Sequence, residues 1–265
     1  MKLSISTTLF YGKHIFDVLP ELKGLFFDGL ELRLKEPHFD YNENREIKEL
    51  TKKAKKEKIK ILSLHAPSSI DISSSDEWDR VRSVREVQKA VVIANRIGAE
   101  FIVVHPGEKR YDGDIQLRML KSSLDEIMDF AKGWEIPVLI ENTQPGKIGD
   151  DLKEIVKIID MYDTKYTGTC LDTSHLNLCG MCMGDAIQQL GGCVKEVHVS
   201  DNKGKKDDHA LPYEGTFDWD DFLHGLKDIR FDQTLCFELM PEDDYIRYVK
   251  KIEELYKKWV KILGK

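Results

Sequence analysis

The sequence predicts an α/β protein built as one closed (β/α)8 barrel over residues 1–265, with a metal site at the C-terminal ends of its strands. Three observations predict it. Short strand-forming runs alternate with helix-forming segments almost without interruption, and no composition break marks a second domain. The length, 265 residues with 41% hydrophobic content, is close to what eight βα units occupy and buries a large core without staples. Six of the apolar runs stop abruptly on His, Asp or Glu. If all strands run parallel, their C-terminal ends converge on one face, so ligand-type residues from distant positions meet in one cavity.

Leu3 to Thr8 reads as the first strand, and His14 to Leu22 carries Ile15, Val18, Leu19 and Leu22 at helical spacing. Leu25 to Arg33 is the second strand, dense in Phe and Leu around Gly29 and ending near Glu31 and Arg33. Asn42 to Glu57 is a charged helix with Ile47, Leu50 and Ala54 on one face. The third strand, from Ile59, stops at His65, and a polar loop long enough to cover a site follows. Glu77 to Ile97 is a long helix expected to turn Trp78, Val81, Val84, Val87, Val91, Ala94 and Ile97 toward the barrel, with Gly98 as its C-cap.

The fourth strand, from Glu100, stops at His105, and Ile115 to Ala131 is the next helix. The fifth, from Ile136, stops at Glu141 and Asn142, and Asp150 to Tyr162 is helical. The sixth, Gly168-Thr-Cys-Leu, stops at Asp172 with His175 three residues later; Met183 to Leu190 is a short helix. The seventh, from Val194, stops at His198 with Asp201 just beyond, and a Lys- and Asp-rich loop runs on to Gly215. Asp218 to Leu226 is helical, the eighth strand from Gln233 stops at Glu238, and Asp244 to Leu263 is an amphipathic terminal helix.

In the loop after the seventh strand, Asp207 and His209 are spaced i, i+2 and project to the same side of an extended segment. The candidate ligand set is therefore His65, His105, Glu141, Asp172, His175, His198, Asp207, His209 and Glu238. Taken singly, each is an ordinary polar residue at a strand end. Taken together, five of the chain's eight histidines fall at this one end. So many like-charged and desolvated groups do not come together without cations. Mixed nitrogen and oxygen donors suit zinc, manganese, cobalt or related divalent metals, and carboxylates such as Glu141 and Glu238 can bridge two ions.

The five cysteines, an odd number between Cys170 and Cys236, do not form a disulfide framework. Cys179-Gly-Met-Cys182 has CxxC spacing but no second CxxC, which makes a redox pair or half a zinc site the weaker reading. Asp and Glu total 47 against 40 Lys and Arg, a formal charge of −7 that does not favour a polyanionic partner. No apolar run is long enough for a membrane span, and the chain start reads as a strand rather than a signal peptide. A soluble, cytoplasmic protein with no membrane partner is expected.

At the ligand-bearing segments the sequence resembles a known family. Ser63-Leu-His-Ala-Pro, Val103-Val-His-Pro-Gly, Leu139-Ile-Glu-Asn-Thr, Cys170-Leu-Asp-Thr-Ser-His, Val197-His-Val-Ser-Asp, Asp207-Asp-His with Glu214-Gly, and Phe237-Glu-Leu are similar to the xylose isomerase-like TIM barrels. That superfamily holds both sugar isomerases or epimerases and endonuclease IV. The resemblance to endonuclease IV implies a trinuclear zinc site using all nine residues. The resemblance to the sugar enzymes implies one divalent metal on Glu141, Asp172, His198 and Glu238, with His175 contacting substrate.

Three departures favour the sugar branch. The segment Ser6-Thr-Thr-Leu-Phe-Tyr-Gly lacks the Ser and Gly-Gly pattern of the nuclease entrance loop; Asp28-Gly-Leu-Glu-Leu-Arg-Leu resembles the sugar enzymes' second strand; and the loop from His198 to Asp207 is short and continues as Tyr213-Glu-Gly-Thr-Phe-Asp-Trp. The favoured reading is a metal-dependent isomerase or epimerase of a small sugar or sugar phosphate. Its catalytic residues would be Glu141 and Glu238 as acid and base on opposite sides of the mouth, with His175 on the substrate. A zinc-dependent abasic-site endonuclease ranks second, so nucleic acid is the lesser partner, and a non-catalytic metal- or sugar-binding barrel third. The particular sugar, the metal and the oligomeric state are left open by the sequence.

Overall fold

The computed structural model describes residues 1–110, 113–181 and 183–264. Eight strands, β1 (Lys2–Ser6), β2 (Gly29–Arg33), β3 (Ile61–His65), β4 (Phe101–Val104), β5 (Val138–Glu141), β6 (Thr167–Asp172), β7 (Val194–Val199) and β8 (Thr234–Phe237), close a barrel in sequence order. Every neighbouring pair is parallel, including β1 with β8, so all C-terminal ends open on one face. The helices among the described residues are α1 (Ile15–Glu21), α2 (Asn44–Glu57), α3 (Glu77–Ile97), α4 (Gly113–Gly133), α5 (Leu152–Ile159), α6 (Thr173–Leu178), α7 (Met183–Leu190), α8 (Trp219–Asp228) and α9 (Tyr245–Ile262). None of them is long and apolar enough to cross a membrane.

Helix boundaries follow local chemistry. Asp76 caps α3 by accepting the amide of Asp79, and Gly98 ends it in the left-handed region at φ 78°, as expected of a C-cap glycine. Trp78 departs from expectation: it is 86% exposed. The buried face of α3 begins only at Ser83, so the first turn projects beyond the barrel edge and an apolar residue there has nothing to pack on. The first strand stops at Ser6 because Thr7–Phe10 tightens into a 3-10 turn, in which the Ser6 hydroxyl accepts the Thr8 amide. At Gly29 a Cβ would sit 2.9 Å from the Lys60 carbonyl, so only glycine lets β2 lie this close to β3.

The outward faces of the strands pack against the helices in one large apolar core. The barrel lumen is divided. On the β4–β6 side Phe101, Val103, Leu139 and Cys170 form a separate apolar cluster. On the β7–β3 side the lumen residues Glu196, Cys236, Ser4, Glu31 and Ser63 are all fully buried. Period-two alternation puts each set directly under the strand-end residues, since Leu139 lies below Glu141, Cys170 below Asp172, Glu196 below His198, and Cys236 below Glu238.

Candidate metal centre

All nine residues singled out from the sequence meet at the open C-terminal mouth, in three groups. In the first, one donor atom each from Glu141, Asp172, His198 and Glu238 lies within 4.8 Å of the others. His198 Nδ1 is 3.2 Å from Glu141 Oε1, 3.0 Å from Glu238 Oε2 and 3.8 Å from Asp172 Oδ2. The second group is His65, His105 and Glu141, with both Nε2 atoms 2.9 Å from Glu141 Oε2. In the third, Asp207 Oδ2 lies 3.2 Å from His175 Nε2 and 3.1 Å from His209 Nε2, so the i, i+2 pair does face one way. Glu141 belongs to the first two groups and also lies 3.6 Å from His175 Nδ1.

The folding around the mouth explains these positions. Cα pairing sets Asp172 beside His198, and Asn142 holds Asp172 by accepting its amide at 2.6 Å and donating to its carbonyl at 3.1 Å. Asp172 in turn caps α6 by accepting the His175 amide at 2.8 Å, and that short helix turns the imidazole back over the mouth. The sequence pattern did not show α6, because six residues are too few to display a helical period.

Three of the imidazoles share one arrangement. His65 Nδ1 donates to the Ala66 carbonyl at 2.6 Å, His175 Nδ1 to that of Asn142 at 2.8 Å, and His209 Nδ1 to that of Glu238 at 3.1 Å. Each then presents Nε2 to a carboxylate oxygen. A backbone carbonyl on one ring nitrogen fixes the tautomer that leaves the other free for a metal.

The donor set fits a cation by two further signs. Among the described residues neither the buried Asp172 Oδ2 nor His105 Nε2 has a hydrogen-bond partner, although His105 Nε2 lies 2.9 Å from Glu141 Oε2. Burial pushes the His105 imidazole down to about 4 against the pull of Glu141, so at neutral pH it is uncharged and carries a lone pair. Burial, reinforced by Glu141 and other carboxylates and opposed by His175, raises Asp172 to about 6. Burial opposes charge on Glu141 and Glu238 too, but His105 and His198 around the first, and Arg33 and His198 around the second, hold both well below the usual carboxylate range. Burial also disfavours charge on His175 and His209, yet Asp172 and Asp207 bring His175 up to about 10, and Asp207 brings His209 up to about 9. Without a metal these two imidazoles hold protons where a metal would sit.

Several residues at the site were not among the nine. Arg33, at the end of β2, forms a partly buried ion pair with Glu238. Glu31 and Glu196 lie one layer down; Glu31 Oε2 is 2.9 Å from His198 Nε2, and Ser63 Oγ donates to Glu196 Oε1 at 3.1 Å. Asp201 anchors the next loop. Alternation would have found Glu196, which lies two residues before His198 on one strand and so faces the same way. Of the CxxC pair, Cys179 has its thiol against the Thr143 carbonyl at 3.5 Å, and Cys182 lies outside the described residues.

Comparison with known proteins places the chain in a family. The sequence pattern of the xylose isomerase-like TIM barrels matches residues 21–258. The uncharacterized protein MJ1311 of Methanocaldococcus jannaschii is 27% identical over 274 residues, covering 100% of this chain and 91% of that one. The probable endonuclease 4 of Aquifex aeolicus is 30% identical over 203 residues, covering 68% of this chain and 72% of its own. Among solved structures, a D-tagatose 3-epimerase-like protein shares the fold with a TM-score of 0.88 at 24% identity, over 100% of this chain and 98% of that one. Strand order, length and the matched span agree: the chain belongs to the xylose isomerase-like TIM barrel family.

Proposed function

We propose that the protein is a metal-dependent isomerase or epimerase of a sugar or sugar phosphate, acting by proton transfer beside a carbonyl. The observation that carries this reading is the convergence of Glu141 and Glu238, from strands β5 and β8, on one position beside His198 Nδ1, at 3.2 and 3.0 Å. Glu141, Asp172, His198 and Glu238 would hold the ion, which when bound supplies Lewis-acid polarisation of a carbonyl and its neighbouring hydroxyl. Both carboxylates are held ionised, Glu238 by Arg33 and Glu141 by its surrounding imidazoles, so either can serve as base. One removes the proton beside the carbonyl from one face, and its counterpart, once protonated, returns a proton from the other; such catalysis contributes about 10²–10⁴-fold. His175, with its Nε2 toward the mouth and its Nδ1 tied to the Asn142 carbonyl, would bind a substrate oxygen. The formal charge of −7 and the full-length likeness to an epimerase-like fold support a small polar substrate.

A second reading, a zinc phosphodiesterase acting on abasic DNA, is favoured by one observation. The His65–His105–Glu141 and His175–Asp207–His209 groups offer donors that a single ion does not need. The Aquifex relative points the same way.

The deciding experiment loads the protein with manganese, cobalt or zinc in D₂O and supplies ketoses and their phosphates. Deuterium entering the carbon beside the carbonyl, with formation of the isomeric sugar, is expected. No exchange in any ketose, together with incision of an abasic duplex at roughly 1 per second or faster, would reverse the order of the two readings.

A further inference from the structure

His198 is oriented differently from its neighbours. His65, His175 and His209 each give Nδ1–H to a backbone carbonyl and turn Nε2 toward the mouth. His198 turns Nδ1 toward Glu141, Glu238 and Asp172, and its Nε2 points down into the lumen, where Glu31 Oε2 lies at 2.9 Å. This contact joins β2 to β7 across the barrel, between residues 167 apart in sequence, and both side chains are fully buried. Glu196 Oε2 is the next carboxylate oxygen, at 3.9 Å, and Cys236 completes the group around Nε2.

An imidazole that ligates a metal is neutral, with one N–H and one lone pair. If Nε2 gives its proton to Glu31, the lone pair is on Nδ1, facing the three carboxylates of the mouth. If the proton moves to Nδ1, the ring has no donor for Glu31 and no lone pair for a metal. Glu31 Oε1 and Glu196 Oε2 are buried without hydrogen-bond partners among the described residues, so loss of the Nε2–H contact would leave Glu31 a poorly satisfied buried carboxylate. A backbone carbonyl cannot be mutated away, whereas this acceptor is a side chain.

We propose that Glu31 is a positioning residue: it accepts Nε2–H of His198 from beneath the barrel mouth and so fixes the tautomer and ring orientation that make Nδ1 a metal ligand. The proposal rests on the metal-holding role given to His198 above, and it serves either catalytic reading. Partners of this kind typically change metal affinity about 10–100-fold when removed.

The test titrates metal-free protein with Co²⁺ and Zn²⁺ by calorimetry and follows the cobalt absorption bands, with thermal unfolding of each metal-free variant as the folding control. Glu31→Leu is expected to weaken binding at the first-group site about 10–100-fold and shift the cobalt bands, while Glu31→Gln, which keeps an acceptor oxygen, restores most of the affinity. Equal affinity and an unchanged cobalt spectrum in Glu31→Leu overturn the proposal. Should Glu31→Leu fail to fold, ¹⁵N imidazole NMR of the zinc-loaded parent decides: a proton on Nε2 of His198 supports the assignment, and a proton on Nδ1 overturns it. A parent protein that binds neither ion overturns the metal reading itself, an outcome distinct from a parent that binds and a variant that binds equally well.

Discussion

The two halves of the barrel lumen solve the same problem by different means. Under Glu141 and Asp172 the floor is apolar, with Leu139, Cys170, Val103 and Phe101 packed together; the Glu141 carboxylate meets His65 and His105 at its own level, and that of Asp172 accepts the His175 amide. Under His198 and Glu238 the floor is polar: Glu31, Glu196 and Cys236 group around His198 in the layer above, and Ser63 donates to Glu196 beside it. An apolar floor contributes stability and excludes water, but it cannot choose a tautomer or a protonation state. A polar floor can, and the disagreement over where to place buried charge is resolved by pairing: Glu31 is held below the ordinary glutamate range by His198 despite its burial, while burial and Glu31 push Glu196 well above it. The lesson is that one half of this barrel is built for packing and the other for setting the state of a ligand.

The largest effect should come from the rim, where the two halves meet. Glu141→Gln and Glu238→Gln should each lower turnover by at least about 10²-fold with the fold retained, because the core lies beneath them. Steady-state kinetics on the ketose identified by deuterium exchange checks this; activity within a few-fold of the parent in both variants rules out the paired acid–base roles. Next, Leu139→Ala on the apolar floor should cost about 2–5 kcal/mol in denaturant unfolding with little change in metal affinity. Ser63→Ala on the polar floor should cost only about 1 kcal/mol. A metal affinity that collapsed with Leu139 instead would erase the distinction between the halves.

The smallest effect is expected at Glu196. Its folded pKa lies above the unfolded value near 4.5, so its contribution to stability is complete below that value and is lost as pH rises toward the folded pKa. Glu196→Gln keeps the shape of the protonated acid and removes the titration. At about pH 4 the variant should match the parent within about 1 kcal/mol, and it should gain on the parent as pH rises toward 8. Denaturant melts of metal-free protein across that range measure it, and parallel pH curves for the two proteins would mean that Glu196 is ionised in the folded state.

Much of this was legible because a closed parallel barrel converts strand ends into a shared location. His65, Glu141, Asp172, His198 and Glu238 each terminate an apolar run, and the barrel does the rest. What was not legible depended on atoms rather than on pattern. That His198 uses Nδ1 toward the mouth when its neighbours use Nε2 follows from the reach of Glu31 across the lumen, which no spacing encodes. Arg33 was visible at the end of its strand, but its pairing with Glu238 requires the closure of β8 on β1 and β2. Trp78 was misplaced because helical spacing says which residues share a face, not where the face runs out of barrel.

Asp201 carries one more consequence. Its backbone pairs with Ala210 in both directions, at 2.9 and 2.8 Å, and its buried carboxylate accepts the amides of Asn202, Tyr213 and Phe217 and the Trp219 indole N–H. A side chain at Gly215 would collide with that carboxylate and with the Asn202 backbone. The loop bearing Asp207 and His209 is thus a lasso knotted at its base to the barrel, while its outer part, Lys203 to Lys206, stands in solvent. Such a loop is an exchangeable cassette. Its outer arc can change in length or charge without disturbing a single strand pairing.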